Sequence, residues 1–171
     1  MRLFLMMAIL AAATAVCAQG APQLAILGTF SNWTAYALND PAGKVCYAAS
    51  EPSSTETKAK GRDDVFLMIT HRPQRNEFDV LSMKAGYTYQ KGSKPTIKVD
   101  ANKAIALKSY EDSAWSPDAE TDARLIAQMK KGGKAVVSGT SVRGTKTADT
   151  FSLKGITKAL EAADKACGRI K

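Results

Sequence analysis

Histidine occurs once in this chain of 171 residues, and cysteine occurs three times. That supply is poor for a zinc site, which usually takes four Cys or His ligands, and the length excludes a small domain held together by a metal. Aromatic residues make up only 7%, but hydrophobic residues reach 45% and charged residues 23%. Because this composition is ordinary for a globular protein, intrinsic disorder is excluded and a sizeable hydrophobic core is expected.

The first eighteen residues have the pattern of a secretory signal peptide. Arg2 is followed by an almost purely apolar run over residues 3–16, and the small residue Ala18 stands just before Gln19. A membrane anchor is one alternative, but the run is shorter than the ~20 residues that span a bilayer. Lipidation of Cys17 is another, although the residues before it are poor for that reaction. We predict cleavage before Gln19.

The predicted mature chain is a single domain over residues 19–171, which begins with a loose leader over residues 19–29. Cleavage removes Arg2, one of 24 basic residues, and leaves all 16 acidic ones, so the formal charge falls from +8 to +7. A basic exported surface suits anionic lipid headgroups, acidic polysaccharide or an acidic patch on another protein. Nucleic acid is not an expected partner, and no transmembrane segment is expected after cleavage.

Two cysteines, Cys46 and Cys167, remain in the mature chain. An even number in an exported protein indicates a disulfide, and two cysteines allow one intramolecular pairing. The alternative is a redox-active pair, which is disfavoured because the sequence has no Cys-x-x-Cys spacing. We therefore expect a structural bridge between an early strand and the end of the last helix.

Short runs of strand-forming residues, separated by turn residues, follow one another along the mature chain. They cover residues 30–38, 44–49, 64–70, 78–83, 86–90, 96–99, 103–110, 135–137, 141–142 and 150–151. Strands at this spacing are typical of an antiparallel sandwich or barrel, so the expected fold class is mainly β.

Two helices interrupt and close this β pattern. The internal helix has Ser116 as its predicted N-cap, Pro117 in its first position and Gly132 as its stop. The C-terminal helix is predicted to start near Ser152. Its residues at helical spacing form one apolar face: Leu153, Ile156, Leu160, Ala163 and Cys167.

His71 is the only residue that could serve a Ser-His-Asp or Cys-His site. It follows a predicted strand with no nucleophile motif nearby, so a packing or surface role is preferred. The pairs Asp63 with Asp64 and Glu77 with Asp79 could form an acid/base couple, but we expect Glu77 and Asp79 on the solvent face of a strand. No catalytic residue, cofactor or metal ion is therefore predicted.

Three residues are candidates for contacting a partner: Arg62, His71 and Arg143. Arg62 ends the loop over residues 51–62, which has no apolar period and is expected to be exposed. Arg143 lies in a glycine-punctuated turn that lacks a phosphate-loop ending, where it is expected to pair with Asp149. Both tryptophans, Trp33 and Trp115, are expected in the core.

Several short segments, taken in their order, carry a family resemblance. They are Trp33; Cys46-Tyr47-Ala48-Ala49-Ser50-Glu51-Pro52; Arg62; Thr70-His71-Arg72-Pro73; Gly86-Tyr87-Thr88-Tyr89; Ala114-Trp115; Ser141-Val142-Arg143-Gly144-Thr145; Asp149-Thr150-Phe151-Ser152-Leu153-Lys154-Gly155; Ala159-Leu160; and Cys167. Together they resemble the invasion-associated locus B family of alphaproteobacterial envelope proteins. The resemblance extends over nearly the whole mature chain.

The resemblance implies an exported, non-enzymatic β-sandwich with an immunoglobulin-like architecture and a bridge between Cys46 and Cys167. Pathogenic members are linked to host-cell entry, but the family also occurs in bacteria that invade nothing. The expected function is a binding or structural module in the periplasm or at the cell surface, in host-cell interaction or envelope maintenance. Its partner is an unidentified protein or an anionic envelope component. The alternatives are an inhibitor or accessory factor of a wall-active enzyme and a hydrolase that uses His71.

Overall fold

The computed structural model describes residues 22–57 and 59–169. The predicted signal peptide, its cleavage site and the alternative lipidation of Cys17 lie outside these residues and stay predictions. Neither helix in the described part of the chain combines the length and apolarity that crossing a membrane requires.

Twelve strands in the described ranges form two antiparallel sheets. In spatial order, the seven-stranded sheet contains β1 (Gln23–Phe30), β2 (Trp33–Asp40), β3 (Gly43–Ser50), β5 (Phe66–Arg72), β6 (Glu77–Lys84), β10 (Ser113–Trp115) and β9 (Lys108–Tyr110). The five-stranded sheet contains β4 (Ser54–Thr55), β12 (Lys146–Ser152), β11 (Lys134–Thr140), β7 (Thr96–Val99) and β8 (Ile105–Ala106). A short 3-10 helix (Pro73–Arg75) turns β5 into β6.

The core lies between the two sheets, where alternate side chains of each strand point inward. Leu67 and Ile69 of β5 face Ile97 of β7 and Phe151 of β12 within one cluster of buried side chains. Trp33 is fully buried in this cluster as predicted, and its indole N–H donates to the Ser152 carbonyl oxygen at 2.9 Å. The predicted mainly-β antiparallel sandwich with one internal and one C-terminal helix is confirmed.

Helix α1 (Ala119–Lys131) begins two residues later than its predicted cap implies. Its N-cap is Asp118, whose carboxylate accepts the Thr121 backbone N–H at 2.8 Å; the same bond lowers the pKa of Asp118. The Ser116 hydroxyl instead donates to the Asp122 carboxylate. The predicted stop at Gly132 is confirmed.

Helix α2 (Ile156–Ala166) starts later than residue 152 because Gly155 is its N-cap. Gly155 has a φ of +97°, and a Cβ there would lie 1.7 Å from the Phe30 carbonyl oxygen. Only glycine allows the helix to start this close to the end of β1. All five residues of the predicted apolar face are buried, but Leu153 precedes the helix and Cys167 is its C-cap.

Three predictions about local structure are wrong. One is the strand over residues 141–142: β11 ends at Thr140, and Ser141 makes only an isolated bridge. The predicted loose leader over residues 19–29 contains most of β1, which pairs with β2 from Gln23 onward. The predicted strand over residues 86–90 does not form; Tyr89 makes only an isolated bridge to Ser141. Gly86 has a φ of +69°, so the backbone leaves the extended region at the point where that strand would start.

The side chains of the seven-stranded sheet that point away from the core form its outer face. Register places Ile26, Tyr36, Tyr47 and Thr70 across four neighbouring strands on this face. Trp115 also lies there and is 36% exposed, so its predicted core position is wrong. On the outer face Ile26 and Trp115 are thus exposed, Tyr36 and Tyr47 are half-buried, and Thr70 is buried.

Candidate binding site

Four chain segments meet at one end of the sandwich and enclose an open cleft of about 700 Å³. They are the segment before β5, the segment after β6, the β9–β10 turn and the β11–β12 turn. The lining residues that bear on its chemistry are Lys60, Asp63, Tyr87, Glu111, Asp112, Val142 and Arg143. We call this feature the loop-end cleft.

The loop-end cleft carries charges of both signs. Lys60 and Arg143 are basic, and three lining residues are acidic: Asp63, Glu111 and Asp112. The exposed guanidinium of Arg143 has its Nη1 3.4 Å from the Lys60 carbonyl oxygen. The neighbouring Val142 is 63% exposed, so an apolar side chain also stands at the rim of the cleft.

Arg62 lies beneath the cleft instead of on an exposed loop. Its Nη1 and Nη2 donate to the two carboxylate oxygens of Asp149 at 2.8 and 2.6 Å, and its Nε donates to the Ala85 carbonyl oxygen at 2.7 Å. The side chains of Arg62 and Asp149 are 7% and 1% exposed. The expectation that Asp149 pairs with Arg143 is therefore wrong, because Arg62 takes both of its oxygens.

Aromatic and hydroxyl groups surround this buried ion pair. The Arg62 guanidinium lies over the Tyr87 ring at 4.9 Å, and the Tyr87 hydroxyl is 2.7 Å from the Thr147 hydroxyl. Burial raises the pKa of Tyr87 and, more strongly, that of Tyr89. Both tyrosines therefore remain neutral at physiological pH, and the charge beneath the cleft belongs to Arg62 and Asp149.

Gly86 allows the segment before β5 to approach the end of β6. The Asp63 backbone N–H donates to the Gly86 carbonyl oxygen at 2.9 Å, and a Cβ on Gly86 would lie 2.3 Å from the Asp63 carbonyl oxygen. Together with the Arg62–Asp149 pair, this close approach fixes one wall of the cleft to the sandwich.

His71 lies at the opposite end of β5 and is fully buried. Its Nδ1 accepts the Asp79 backbone N–H at 3.0 Å, which leaves the ring proton of neutral histidine on Nε2, 3.2 Å from the Asp164 carboxylate. A residue in this position does not reach a surface partner. The sequence-based suggestion of His71 as a partner contact is replaced by a packing role.

Asp79, Asp164 and Arg169 complete a partly buried charge cluster around His71. The Arg169 guanidinium contacts the Asp79 carboxylate and lies 3.5 Å from that of Asp164. Partial burial opposes the charge of Arg169, but the two carboxylates outweigh it and raise its pKa. The expectation that Asp79 faces solvent is wrong, because a register shift next to His71 and a φ of +57° at Asp79 direct its side chain to Arg169.

Ligand-type atoms of His71, Asp79 and Asp164 come within 4.8 Å of one another, a grouping that could approach a metal ion. The guanidinium of Arg169 already supplies a cation to both carboxylates, and Nδ1 of His71 is occupied by a backbone N–H. The fit to a metal ion is therefore poor. Neither Asp164 nor Arg169 was predicted from the sequence, where the available signal was an acid beside the buried face of the last helix.

A disulfide joins Cys46 of β3 to Cys167 at the end of α2, as predicted. The two Cα atoms are 5.9 Å apart across a sequence separation of 121 residues. Cys46 is the register partner of His71, so the bridge and the charge cluster lie side by side. They fasten the C-terminal helix to the seven-stranded sheet.

Comparison with known proteins agrees with this architecture. The family model described as "Invasion associated locus B (IalB) protein" matches residues 33–164. The chain belongs to the invasion associated locus B family. Its match with the crystal structure of invasion associated protein B from Bartonella henselae has a TM-score of 0.57 and covers 81% of this chain and 96% of that one. Their sequence identity is 14%, so the likeness concerns the fold. No curated protein matches the chain.

Proposed function

We propose that this member of the invasion associated locus B family is an exported, non-enzymatic binding module of the cell envelope that holds a polypeptide partner in the loop-end cleft. The observation that carries the proposal is the contrast between Arg143 and Arg62. Arg143 is exposed at the cleft, whereas Arg62 is buried beneath it and tied to Asp149. A rigid base with an exposed basic side chain above it suits recognition of a partner.

The charge of the cleft favours a polypeptide over a polyanion. The three carboxylates of Asp63, Glu111 and Asp112 would repel a lipopolysaccharide or an acidic polysaccharide. A protein surface can present an acidic group to Arg143 and a basic group to the carboxylates. The exposed side chain of Val142 adds an apolar contact at the same site.

Export is supported by the disulfide. Bridges such as Cys46–Cys167 form and persist in oxidising compartments and are rare in the cytosol. The signal-peptide pattern before Gln19 agrees with that location. Periplasm and cell surface both fit these observations.

The position of His71 supports a non-enzymatic role. It is the one histidine in the sequence, it is fully buried, and both ring nitrogens face groups of the protein itself. A general base must come within hydrogen-bond reach of its substrate. A hydrolase mechanism through His71 would require the C-terminal helix to move away.

Site-directed photocrosslinking in cells tests this function. A photoreactive amino acid at position 142 should capture a discrete envelope protein, and the added substitution Arg143→Ala should reduce the adduct about tenfold. The matched control is Arg75→Ala, which removes the same charge from an exposed arginine near the opposite end of β5. This control should leave the adduct unchanged.

The proposed cleft is overturned if position 142 gives no adduct, or if Arg143→Ala and Arg75→Ala give the same yield as the parent. Capture of polysaccharide or lipid instead of protein would overturn the polypeptide partner. Capture of a wall-active enzyme, followed by a change in its activity on adding the protein, would support the inhibitor or accessory alternative.

A further inference from the structure

The outer face of the seven-stranded sheet carries apolar side chains, and neither helix packs on it among the described residues. Both helices contribute buried side chains to the core side: Leu125 and Met129 of α1, and Ala159 and Leu160 of α2. On the outer face, Ile26 is 68% exposed and Trp115 is 36% exposed. A monomer rarely exposes a contiguous apolar face of this kind unless it meets a partner.

Aromatic side chains lie at the centre of this face. Tyr36 and Tyr47 are register partners on β2 and β3, and their rings stack at 4.9 Å. Leu38 and Met68 extend the surface along neighbouring strands, and both are half-buried. Neighbours in the sheet hold these side chains in place, which makes the surface preorganised.

We propose that two copies of the chain form a symmetric dimer by packing their outer faces together. Sheets stack face to face about 10 Å apart when both supply apolar side chains. A second copy brings a face of the same size and polarity, as a two-fold symmetric interface requires. The dimer buries Tyr36, Tyr47 and Met68 at its centre and Ile26 toward one border.

The size of the face fits a small but stable interface. Five long strands of seven or eight residues, β1, β2, β3, β5 and β6, make up most of it. At ~4.8 Å between strands and ~3.3 Å per residue, they cover a footprint of roughly 600 Å². Two such faces bury about 1,200 Å², the lower end of the range for specific protein interfaces.

The charges on the face favour a second copy over an anionic membrane. Among its outward positions with described side chains on those five strands, Arg72 is paired with Glu77 at 3.3 Å, and Lys84 stands near one border. Recognition of anionic lipid usually takes a cluster of 4–8 basic residues. The centre of the face is uncharged, as sheet stacking requires.

Sedimentation velocity across a concentration series tests the proposal on protein purified from a secreting host with its disulfide intact. The wild type should show a monomer–dimer equilibrium in the micromolar range. Ile26→Lys should weaken dimerisation about tenfold or more, because symmetry places two buried lysines in each dimer. Val142→Lys is the matched control: it alters a β-branched residue of similar exposure in the loop-end cleft and should dimerise like the wild type.

The salt dependence distinguishes dimerisation from binding to an anionic membrane. Added salt should leave the dimer intact or strengthen it, because it screens the repulsion between two basic chains. A wild type that stays monomeric throughout the series overturns the proposal, as does a dimer that Ile26→Lys leaves unchanged. Monomers that instead sediment with phosphatidylglycerol vesicles at low salt, and are released at high salt, identify a membrane as the occupant and also overturn it.

Discussion

Buried charges lie near both ends of β5, but the two ends are fastened differently. At the loop end, Arg62 and Asp149 form a bidentate pair beneath the cleft. At the other end, His71, Asp79, Asp164 and Arg169 form a cluster beside a covalent bridge. One end presents an accessible arginine to solvent, and the other encloses its only histidine.

This difference separates the end that we propose for recognition from an anchoring end. The loop-end cleft depends on non-covalent contacts: Arg62 links the segment before β5 to β12 and to the Ala85 carbonyl oxygen after β6, and the Asp63 backbone N–H adds a hydrogen bond to Gly86. The C-terminal helix is held twice, by the Cys46–Cys167 bridge and by the ionic cluster. We therefore expect a destabilising change at one end to leave the other end folded, unless the whole protein unfolds.

The largest expected effect comes from removing the bridge. Cys167→Ser, or reduction of the wild type, opens a loop of 121 residues and should lower the free energy of unfolding by about 5 kcal/mol in the chain-entropy model. Urea unfolding of the oxidised and reduced forms measures the loss. Equal midpoints for the two forms would show that the bridge does not anchor the helix.

The next largest effect is expected at the loop end. Arg62→Ala leaves the Asp149 carboxylate buried without its cation and should cost about 3–5 kcal/mol of unfolding free energy. Arg143→Ala is the matched control because its guanidinium is exposed in the same cleft, and it should change stability by less than about 0.5 kcal/mol. If the two variants lost similar amounts of unfolding free energy, Arg62 would not differ from Arg143 in its structural role.

The smallest effect is expected for a buried carboxylate held by hydrogen bonds. Asp122 accepts the Leu81 backbone N–H at 2.9 Å and the Ser116 hydroxyl, and burial raises its pKa. A raised carboxyl pKa means that the folded state favours the neutral form, so the charge on Asp122 lowers stability at neutral pH and this cost disappears as pH falls through the folded pKa.

Asp122→Asn keeps the acceptor oxygen and removes the charge. It should leave stability unchanged or slightly higher at pH 7, and the difference from the wild type should shrink toward pH 4. Thermal unfolding at pH 7, 5.5 and 4 measures this trend. A clear loss of stability at pH 7 would show that Asp122 acts as a charged group, like Asp149.

The features that depend on residue spacing or on the number of cysteines could be predicted from the sequence. The two cysteines after the predicted cleavage site allowed one pairing, and the helical spacing from Ile156 to Cys167 placed the second of them on the buried side at the end of α2. The β-sandwich followed from short runs between turn residues. The first residue of each helix was less predictable. Asp118 and Ser116 are both good N-caps for α1, and the contact of Ser116 with Asp122 decides between them.

The charge pairings could not be predicted, because they depend on contacts between residues far apart in sequence. Arg62 and Asp149 are separated by 87 positions, and Asp149 looked closer to Arg143 along the chain. In a regular strand the side chain of Asp79 would point to solvent, but the register shift beside His71 turns it inward. β1 looked like a leader because most of its residues are exposed at the sheet edge.

Hydrogen–deuterium exchange on the purified protein with its disulfide intact tests the separation of the two ends most directly. Reduction should accelerate amide exchange in α2 and in β3 around Cys46, while residues 59–63 and 141–145 keep their protection. Arg62→Ala in the oxidised protein should give the reverse pattern. If either change instead accelerates exchange uniformly at both ends while the protein remains folded, a recognition end and an anchoring end are not independent parts of this molecule.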